Sequence, residues 1–328
     1  MIAHTLPAWM RCVAIALPQR CAATRMAGAV RRVQTTPPLE PPDLPLHARS
    51  AMDYFDRSPD PFHATHNLCE RLIRSGFVAL DEKEPWHGRL EPGGRYFYTR
   101  NRSCLVAFAV GGSFKAGQGF KIIGAHTDSP NLKVKPRSKR DSGGGGVSQL
   151  SVETYGGGLW HTWFDRDLSV SGRVIVRGDD GAVEMRLVRL ERPVLRVPTL
   201  CIHLQTPDER KAFEVNKEDH LQPILAMAAE RGLTTGDAAG ATGADGAADA
   251  AADGAPAGWE GSQDPLLVSL ISEHLGVLPS QIADFELNLY DTHRAAVFGG
   301  RSEFLVSARL DNLASCYMAT EAQHIASC

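Results

Sequence analysis

The alternation of apolar and polar positions predicts a chain of short strands with a few helices. From Pro61 to Ser75, apolar residues share one helical face, and Gly76 follows as a stop signal. Runs rich in β-branched and aromatic residues, separated by glycines and polar turns, predict strands. The predicted strands are Tyr96–Thr99, Leu105–Val110, Phe120–Ile123, Leu168–Val176, Val183–Leu190, Leu200–Leu204 and Phe304–Ala308. Further helices are predicted at Gln222–Glu230, at Pro265–His274 and from about Leu313.

The order of these elements predicts an α/β fold with a β-rich region, Leu150–Leu204, in the middle of the chain. A length of 328 residues exceeds one average domain, which favours two domains or one core with a substantial insertion. No apolar run approaches the roughly 20 residues of a membrane span, so we expect no membrane-spanning helix and no membrane partner.

Charge and cysteine content exclude further classes of protein. The formal net charge is −3, with 35 Lys plus Arg against 38 Asp plus Glu, which leaves no basic excess to neutralise a phosphate backbone. Nucleic acid is therefore not an expected partner. The seven cysteines show no CxxC spacing, so neither a disulfide framework nor a zinc finger is indicated, and a reducing compartment fits.

Residues 1–40 have the composition of a leader. No Asp or Glu occurs from Met1 to Leu39, whereas five arginines do. This pattern is typical of a transit peptide and predicts import into a mitochondrion or plastid. The alternatives are an unstructured leader on a cytoplasmic protein and a secretory signal, although Arg11 interrupts the apolar stretch that such a signal needs. Without the five arginines the formal charge changes from −3 to −8, so the rest of the chain is acidic.

A low-complexity segment occupies residues 234–258. Of these 25 residues, 17 are Ala or Gly and four are Asp, and no large apolar side chain is present. Such a segment cannot offset the entropy of ordering, so a disordered surface loop is predicted.

The strongest local signal for chemistry is the sequence GAHTDSP at 124–130. It follows the predicted strand Phe120–Ile123, which we expect to be buried, and presents His126 and Asp128 two residues apart. Sites in α/β proteins are built at strand ends. A neutral imidazole binds zinc, and a carboxylate on its other nitrogen holds the required tautomer. The plain alternative is a hydrogen-bonded histidine at a turn before Pro130.

Two further runs carry candidate residues. The sequence RLDNL at 309–313 places Asp311 after a β-rich run and at a helix start, where a carboxylate can bridge two metal ions or cap the helix. Residues 153–167 contain three consecutive glycines beside Trp160 and Trp163. No GK[ST] follows, so this run is not a phosphate-binding loop, and packing at an interface is the better interpretation.

Taken together, these motifs resemble the aspartyl aminopeptidases, dinuclear zinc exopeptidases that remove N-terminal acidic residues from peptides. The sequences SPDPFH at 58–63, FAVGG at 108–112 and ERP at 191–193 add to the resemblance. It covers roughly residues 45–328 and is interrupted by the Ala/Gly segment.

The resemblance implies a fold and a set of partners. The fold is a zinc-exopeptidase-like α/β catalytic domain interrupted by an inserted β-rich dimerisation domain. The catalytic domain would comprise 41–130 and 306–328, and the inserted domain 131–305. The implied partners are peptides with acidic N-termini and further copies of the chain, joined as a homo-oligomer through the inserted domain.

The resemblance also implies roles for four residues. His126 is similar to the family's first zinc ligand, Asp128 to the carboxylate that orients it, and Asp311 to the aspartate that bridges two zinc ions. His203, in CIHLQ at 201–205, resembles the histidine with which the inserted domain contacts substrate in a neighbouring subunit's site. Without the resemblance, His203 would be interpreted as a half-buried strand histidine.

One part of the family pattern is not found in this chain. The family's Glu-Glu pair, which supplies a general base and a metal ligand, is absent, and only 17 residues follow Asp311. We therefore expect a full-length protein to be a zinc aminopeptidase, and residues 1–328 alone to bind zinc weakly and to show no hydrolysis. The alternatives are a non-catalytic subunit or interaction module that joins full-length partners, and a mononuclear metal hydrolase that uses His126, Asp128 and Asp311.

Overall fold

A computed structural model of the chain describes residues 44–140, 146–227 and 259–325. The predicted leader, 1–40, and the predicted Ala/Gly loop, 234–258, lie outside these residues. The described chain forms two compact units. Leu200–Glu214 belongs to a small unit together with the described residues up to Leu46, and the large unit contains the described residues of His47–Thr199 and from Val215 onward.

The described chain contains both helices and strands, as expected for an α/β fold. The helices are α1 (Leu46–Asp56), α2 (Pro61–Arg74), α3 (Pro207–Lys211), α4 (Pro265–Leu275) and α5 (Leu310–Ile325). The strands are β1 (Val78–Ala79), β2 (Arg95–Arg100), β3 (Cys104–Ala109), β4 (Asn131–Arg140), β5 (Val147–Tyr155), β6 (Leu168–Arg177), β7 (Val183–Arg189), β8 (Ile224–Met227), β9 (Ile282–Asp291), β10 (Ala296–Phe298) and β11 (Phe304–Val306). Within the described ranges, no helix combines the length and the apolar character that crossing a membrane requires.

The largest sheet has six strands in the order β7-β6-β9-β4-β5-β8, and every neighbouring pair is antiparallel. Its strands lie between residues 131 and 291, inside the range predicted for the inserted domain. Val170 and Leu287 from its central strands are fully buried with Leu267 and Ile271 of α4. Burial of these apolar side chains is the main favourable term that holds the sheet and helix together.

A second, smaller sheet, β1-β2-β3, packs against α2 through Leu72, Phe77 and Phe97. Helices α1, α2 and α5 meet in another apolar cluster, in which Tyr54 and Leu313 are buried. This packing matters for function because it fixes the start of α5 next to the segment that precedes β4.

Three predicted elements differ in the structure. Phe120–Ile123 forms no strand in the described structure, and its side chains are exposed, Phe120 by 82% and Ile122 by 86%. Leu200–Leu204 contains a turn closed by the hydrogen bond from the Leu204 N–H to the Cys201 carbonyl. Within the predicted helix Gln222–Glu230, residues 224–227 instead form β8.

The reason for the last difference is an available strand edge. β8 completes the hydrogen bonds of β5, with Ser148 opposite Ala226. The side chain of Gln222 strengthens this register, since its amide accepts from the Val152 N–H at 2.8 Å and donates to the Val152 carbonyl at 3.2 Å. The helical pattern of this run is only a weak local preference. Pairing with β5 gives the backbone groups of both strands hydrogen-bond partners, and this outweighs the local preference.

A buried carboxylate fixes the start of α2. Asp60 is fully buried and accepts hydrogen bonds from the N–H groups of Phe62 and His63 at 2.8 and 3.0 Å. Its second oxygen lies 2.6 Å from His63 Nδ1. Burial alone would raise the pKa of Asp60, but the hydrogen bonds and charge of His63 hold that pKa below its ordinary value. Asp60 is therefore an ionised helix cap.

We predict that Asp60→Ala lowers the free energy of unfolding by about 2 kcal/mol at pH 7, because the cap is lost and buried donors are left unpaired. The depressed pKa means that the carboxylate stabilises the fold above the ordinary aspartate pKa of about 4 and that this contribution disappears as the pH falls below it. The difference between the two proteins should therefore shrink in acid. Urea denaturation of the wild type and of Asp60→Ala, at pH 7 and in acid below the ordinary aspartate pKa, measures this difference in the free energy of unfolding.

The matched control is Asp53→Ala, which removes an exposed carboxylate 3.9 Å from Arg57. Such surface pairs contribute less than about 1 kcal/mol. An equal loss of stability in the two variants at pH 7 would contradict the capping role of Asp60.

Candidate functional site

Two of the predicted metal ligands face each other. His126 lies in the loop before β4 and Asp311 at the start of α5, and His126 Nε2 is 3.2 Å from Asp311 Oδ1. On the other side of the ring, His126 Nδ1 is 2.9 Å from the backbone carbonyl of Asp128 and 3.4 Å from its carboxylate. The structure thus brings His126, Asp128 and Asp311 together, and the closer contact of Asp128 is through its backbone.

The contacts of the His126 ring define where a cation fits. A carbonyl oxygen only accepts hydrogen bonds, so His126 Nδ1 carries the proton that it donates to Asp128. In a neutral ring, Nε2 then presents a lone pair to the Asp311 carboxylate. Two lone pairs at this separation repel each other unless a positive charge, a proton on the ring or a metal ion, lies between them.

The distance fits zinc. Two ligands that each lie 2.0–2.1 Å from a tetrahedral zinc ion are about 3.3 Å apart, close to the 3.2 Å observed here. The side chains of His126 and Asp311 are 51% and 92% exposed, so an ion can enter from solvent. Catalytic zinc usually has three protein ligands, and among the described residues no group of three His, Cys, Asp or Glu side chains surrounds one point.

Arg309 holds the two ligand segments in place. Its guanidinium donates to the carbonyls of Ser58 and Thr127, both at 2.6 Å. Thr127 stands between His126 and Asp128, and Arg309 stands two residues before Asp311, so one side chain joins both segments to the start of α2. Arg309 adopts a left-handed backbone conformation with φ 61°, which is uncommon for a residue other than glycine.

Two shorter links support this arrangement. The Ser129 hydroxyl donates to the Asp311 carbonyl at 2.7 Å, and the Cys316 thiol of α5 donates to the His126 carbonyl at 3.2 Å. Both bonds fix backbone atoms beside a candidate ligand and leave the ligand side chains free.

Tyr155 at the end of β5 is a site residue that sequence reasoning missed. Its hydroxyl donates to Asp128 Oδ2 at 2.8 Å. This hydrogen bond lowers the pKa of Asp128, with His126 adding to the effect and partial burial opposing it, and the same bond raises the pKa of Tyr155. The signal that identifies Tyr155 is the strand register, in which it pairs with Asn131, three residues after Asp128.

The glycines after Tyr155 allow this close approach. Gly156 has φ +76°, and a side chain there would meet Pro130 at 3.4 Å. Gly158 packs under the Trp160 ring, where a Cβ atom would come within 2.9 Å. Glycine therefore packs closely against Pro130 and Trp160 next to the candidate site, and packing of this run at an interface stays a prediction.

The alternative interpretation of Asp311 as a helix cap does not match its contacts. Asp311 and Asn312 have non-helical backbone angles, and the regular helix begins at Leu313. Leu313 N–H donates to the Arg309 carbonyl at 3.2 Å, and in the described part of the chain no backbone N–H donates to the Asp311 carboxylate. The carboxylate is directed instead toward His126.

His203 belongs to the small unit, within the turn that replaces the predicted strand. Its side chain is exposed rather than half-buried. Contact with substrate in a neighbouring subunit therefore stays a prediction, as do the zinc-binding roles of His126 and Asp311.

Comparison with known proteins identifies relatives over most of the chain. Residues 54–327 match the family described as aminopeptidase I zinc metalloprotease (M18). The chain is 45% identical over 281 residues to an aspartyl aminopeptidase of Aspergillus oryzae, a match that covers 85% of the chain and 55% of that protein. It is 42% identical over 275 residues to an aspartyl aminopeptidase of Dictyostelium discoideum, with 83% and 55% covered. The chain thus spans about half the length of these relatives.

Solved structures show the same similarity. The fold matches a chain in the cryo-EM structure of the Ape4 and Nbr1 complex with a TM-score of 0.73 and 39% identity, over 85% of this chain and 50% of that one. It matches mApe1 of Chaetomium thermophilum with a TM-score of 0.70 and 32% identity, over 84% and 57% of the two chains. These matches confirm the predicted fold class.

We predict that Tyr155→Phe weakens zinc binding by the chain about tenfold, because loss of a hydrogen bond to the group that orients a ligand typically costs 10–100-fold in metal affinity. His126→Ala should remove the site. Competition with a chromogenic chelator measures the zinc affinity of both variants. Tyr98→Phe is the matched control, since the Tyr98 ring packs against Trp86 outside the site. Equal zinc affinity in wild type and Tyr155→Phe would contradict the orienting role of Asp128.

Proposed function

Because the chain belongs to the aminopeptidase I zinc metalloprotease (M18) family, we propose that the protein is a zinc aminopeptidase that removes acidic residues from peptide N-termini. The preference for acidic residues is supported by the names of relatives that are more than 40% identical. The observation that carries the proposal is the 3.2 Å separation of His126 Nε2 and Asp311 Oδ1 in a solvent-accessible position.

The residues of the site divide into ligands and supports. His126 and Asp311 would hold zinc, which when bound polarises the peptide carbonyl and makes the attacking water more acidic. Asp128 keeps the His126 ring in the tautomer that presents Nε2, and Tyr155 keeps Asp128 ionised. Arg309 maintains the distance between the two ligand segments. The chain therefore supplies an ordered part of a metal site before any ion binds.

A second zinc ion, bridged by Asp311, is part of the same proposal. Its support is the high exposure of the Asp311 carboxylate, 92%, of which one oxygen faces His126. A carboxylate in this position can bind one ion through each oxygen. The further ligands of both ions are not found among the described residues.

We also propose that the protein forms a homo-oligomer through the six-stranded sheet and that His203 contacts substrate bound to a neighbouring copy. The support is the exposure of the outer strands. Val183 of β7 is 63% exposed and Met227 of β8 is 54% exposed, at the two edges of the sheet. Apolar, hydrogen-bonding edges of this kind favour pairing with another chain.

One observation favours a second function, that of a non-catalytic partner of an active enzyme. In the described part of the chain, two candidate ligands converge where catalytic zinc usually needs three. Under this alternative the sheet would still assemble with a longer relative, but the His126 site would not turn over substrate.

A fusion protein separates the two functions. Residues 45–328 are joined to the remaining sequence of the Aspergillus oryzae relative, and hydrolysis of aspartyl and alanyl p-nitroanilide is measured. We predict hydrolysis with a preference for the aspartyl substrate, lost with a chelator and in His126→Ala. His274→Ala, at an exposed histidine in the last turn of α4, should retain activity.

The chain alone is the second arm of this experiment, and we predict no hydrolysis by it. A fusion protein that folds and binds zinc but is inactive would contradict the aminopeptidase proposal. If the chain also associated with the intact relative, the non-catalytic function would replace the aminopeptidase proposal.

A further inference from the structure

We infer that Lys133 of β4 is a positioning residue of the candidate site, which holds the Tyr155 ring in the orientation in which the Tyr155 hydroxyl bonds Asp128. The consequence of this contact, a higher zinc affinity at His126, rests on the proposed function. The contact itself belongs to the polar face of the six-stranded sheet.

The six-stranded sheet has one apolar face and one polar face. Successive side chains of a strand point to opposite faces. Leu132 of β4 and Leu287 of β9 are fully buried in the same apolar cluster as α4, so they lie on the apolar face. Lys133 and Glu286 are their neighbours in sequence and lie on the other face. Arg173 of β6 pairs directly opposite Glu286 and therefore shares this polar face.

A network of ion pairs joins three strands on the polar face. Glu286 Oε1 lies 2.8 Å from Lys133 Nζ, and Glu286 Oε2 lies 2.9 Å from Arg173 Nη2. Arg173 also donates to Asn101 Oδ1 at 2.8 Å, and its guanidinium lies 4.8 Å from the centre of the Phe62 ring. The three charged side chains are only 23–35% exposed. Glu286 thus fixes the Lys133 ammonium relative to β6, to α2 and to the turn after β2.

Lys133 connects this network to Tyr155. Its ammonium lies 4.6 Å from the centre of the Tyr155 ring, within the distance of about 6 Å at which a cation is attracted to the face of an aromatic ring. The strand register explains this contact, because Lys133 pairs with Glu153 and Tyr155 is the diagonal neighbour on the same face. The ring is therefore held at its face by Lys133 and at its hydroxyl by Asp128, at 2.8 Å.

The position of Tyr155 in the fold makes such an anchor useful. Tyr155 is the last residue of β5, its side chain is 39% exposed, and three glycines follow it. Exposed side chains change rotamer rapidly unless contacts restrict them. A fixed ammonium over the ring favours the rotamer in which the hydroxyl reaches Asp128, and it thereby supports the group that orients His126.

A purely electrostatic effect of Lys133 on the metal would have the opposite sign. A positive charge near the site repels a zinc ion, so removal of that charge alone would strengthen zinc binding. Positioning of Tyr155 predicts weaker zinc binding when Lys133 is replaced by an uncharged residue. The direction of the change therefore distinguishes the two effects.

The first measurement follows Tyr155 in the metal-free full chain. Three-bond NMR couplings about χ1 report whether its ring occupies one rotamer or several. We expect one rotamer in the wild type and several in Lys133→Met, which keeps the length of the side chain and removes its charge. Lys133→Arg keeps a cation over the ring and should restore the single rotamer. Lys135→Met is the matched control, since Lys135 lies on the same strand and pairs with Glu218 at 3.3 Å.

The second measurement is the zinc affinity of the same chains, by competition with a chromogenic chelator. We expect Lys133→Met to weaken zinc binding about threefold, the effect of one cation–ring contact. Lys133→Arg and Lys135→Met should bind zinc like the wild type. In a chain that already carries Tyr155→Phe, Lys133→Met should cause no further loss, because Lys133 acts through the Tyr155 hydroxyl.

Several results would overturn the inference. These are a single Tyr155 rotamer in Lys133→Met, unchanged or tighter zinc binding by that variant, and a full threefold loss in the Tyr155→Phe background. Failure of the proposed function would give a different result. If the wild type bound no zinc while its Tyr155 rotamer still depended on Lys133, the proposed metal site would be contradicted and the positioning of Tyr155 by Lys133 would be supported.

Discussion

The candidate site depends on the hydrogen bonds that the Arg309 guanidinium makes with two distant carbonyls. Ser58 and Thr127 are 251 and 182 residues away from Arg309 in sequence, yet each accepts a hydrogen bond at 2.6 Å. Buried carbonyls at chain turns need such donors, and an arginine can satisfy two of them at once. The same contact sets the position of Asp311 relative to His126, so that a requirement of the fold also determines the geometry of the site.

The site is built as a series of oriented groups. Tyr155 donates to the Asp128 carboxylate, the Asp128 backbone carbonyl accepts a hydrogen bond from His126 Nδ1, and His126 Nε2 faces Asp311. The hydrogen bond at Nδ1 fixes the tautomer of a neutral His126 ring, so that its Nε2 lone pair faces the Asp311 carboxylate, and a positive charge between them relieves the repulsion. The hydrogen bond from Tyr155 to Asp128 needs little further ordering of the side chains, because the pairing of β4 with β5 already holds Tyr155 close to Asp128. A sheet inside the predicted inserted domain therefore reaches the candidate catalytic residues.

The elements that sequence reasoning predicts correctly are those with local signals. The helix predicted from Pro61 agrees with α2, and the strands predicted at Leu168–Val176 and Val183–Leu190 agree with β6 and β7. Residues 224–227 form β8 in place of the predicted helix because pairing with the edge of β5 outweighs a helical pattern. His126 and Asp311 could be identified from their motifs and from the family resemblance, since both lie in short, distinctive sequences. Tyr155 could not, because its role depends on a register that joins residues 24 positions apart.

The central claim is that a metal ion binds between His126 and Asp311, and histidine NMR during a zinc titration tests it most directly. The account predicts that the first zinc-dependent change is a shift of the His126 Nε2 resonance, with Nδ1 still protonated, and that Asp311→Asn removes this change. A zinc-dependent shift at another histidine first, with His126 unaffected, would contradict it.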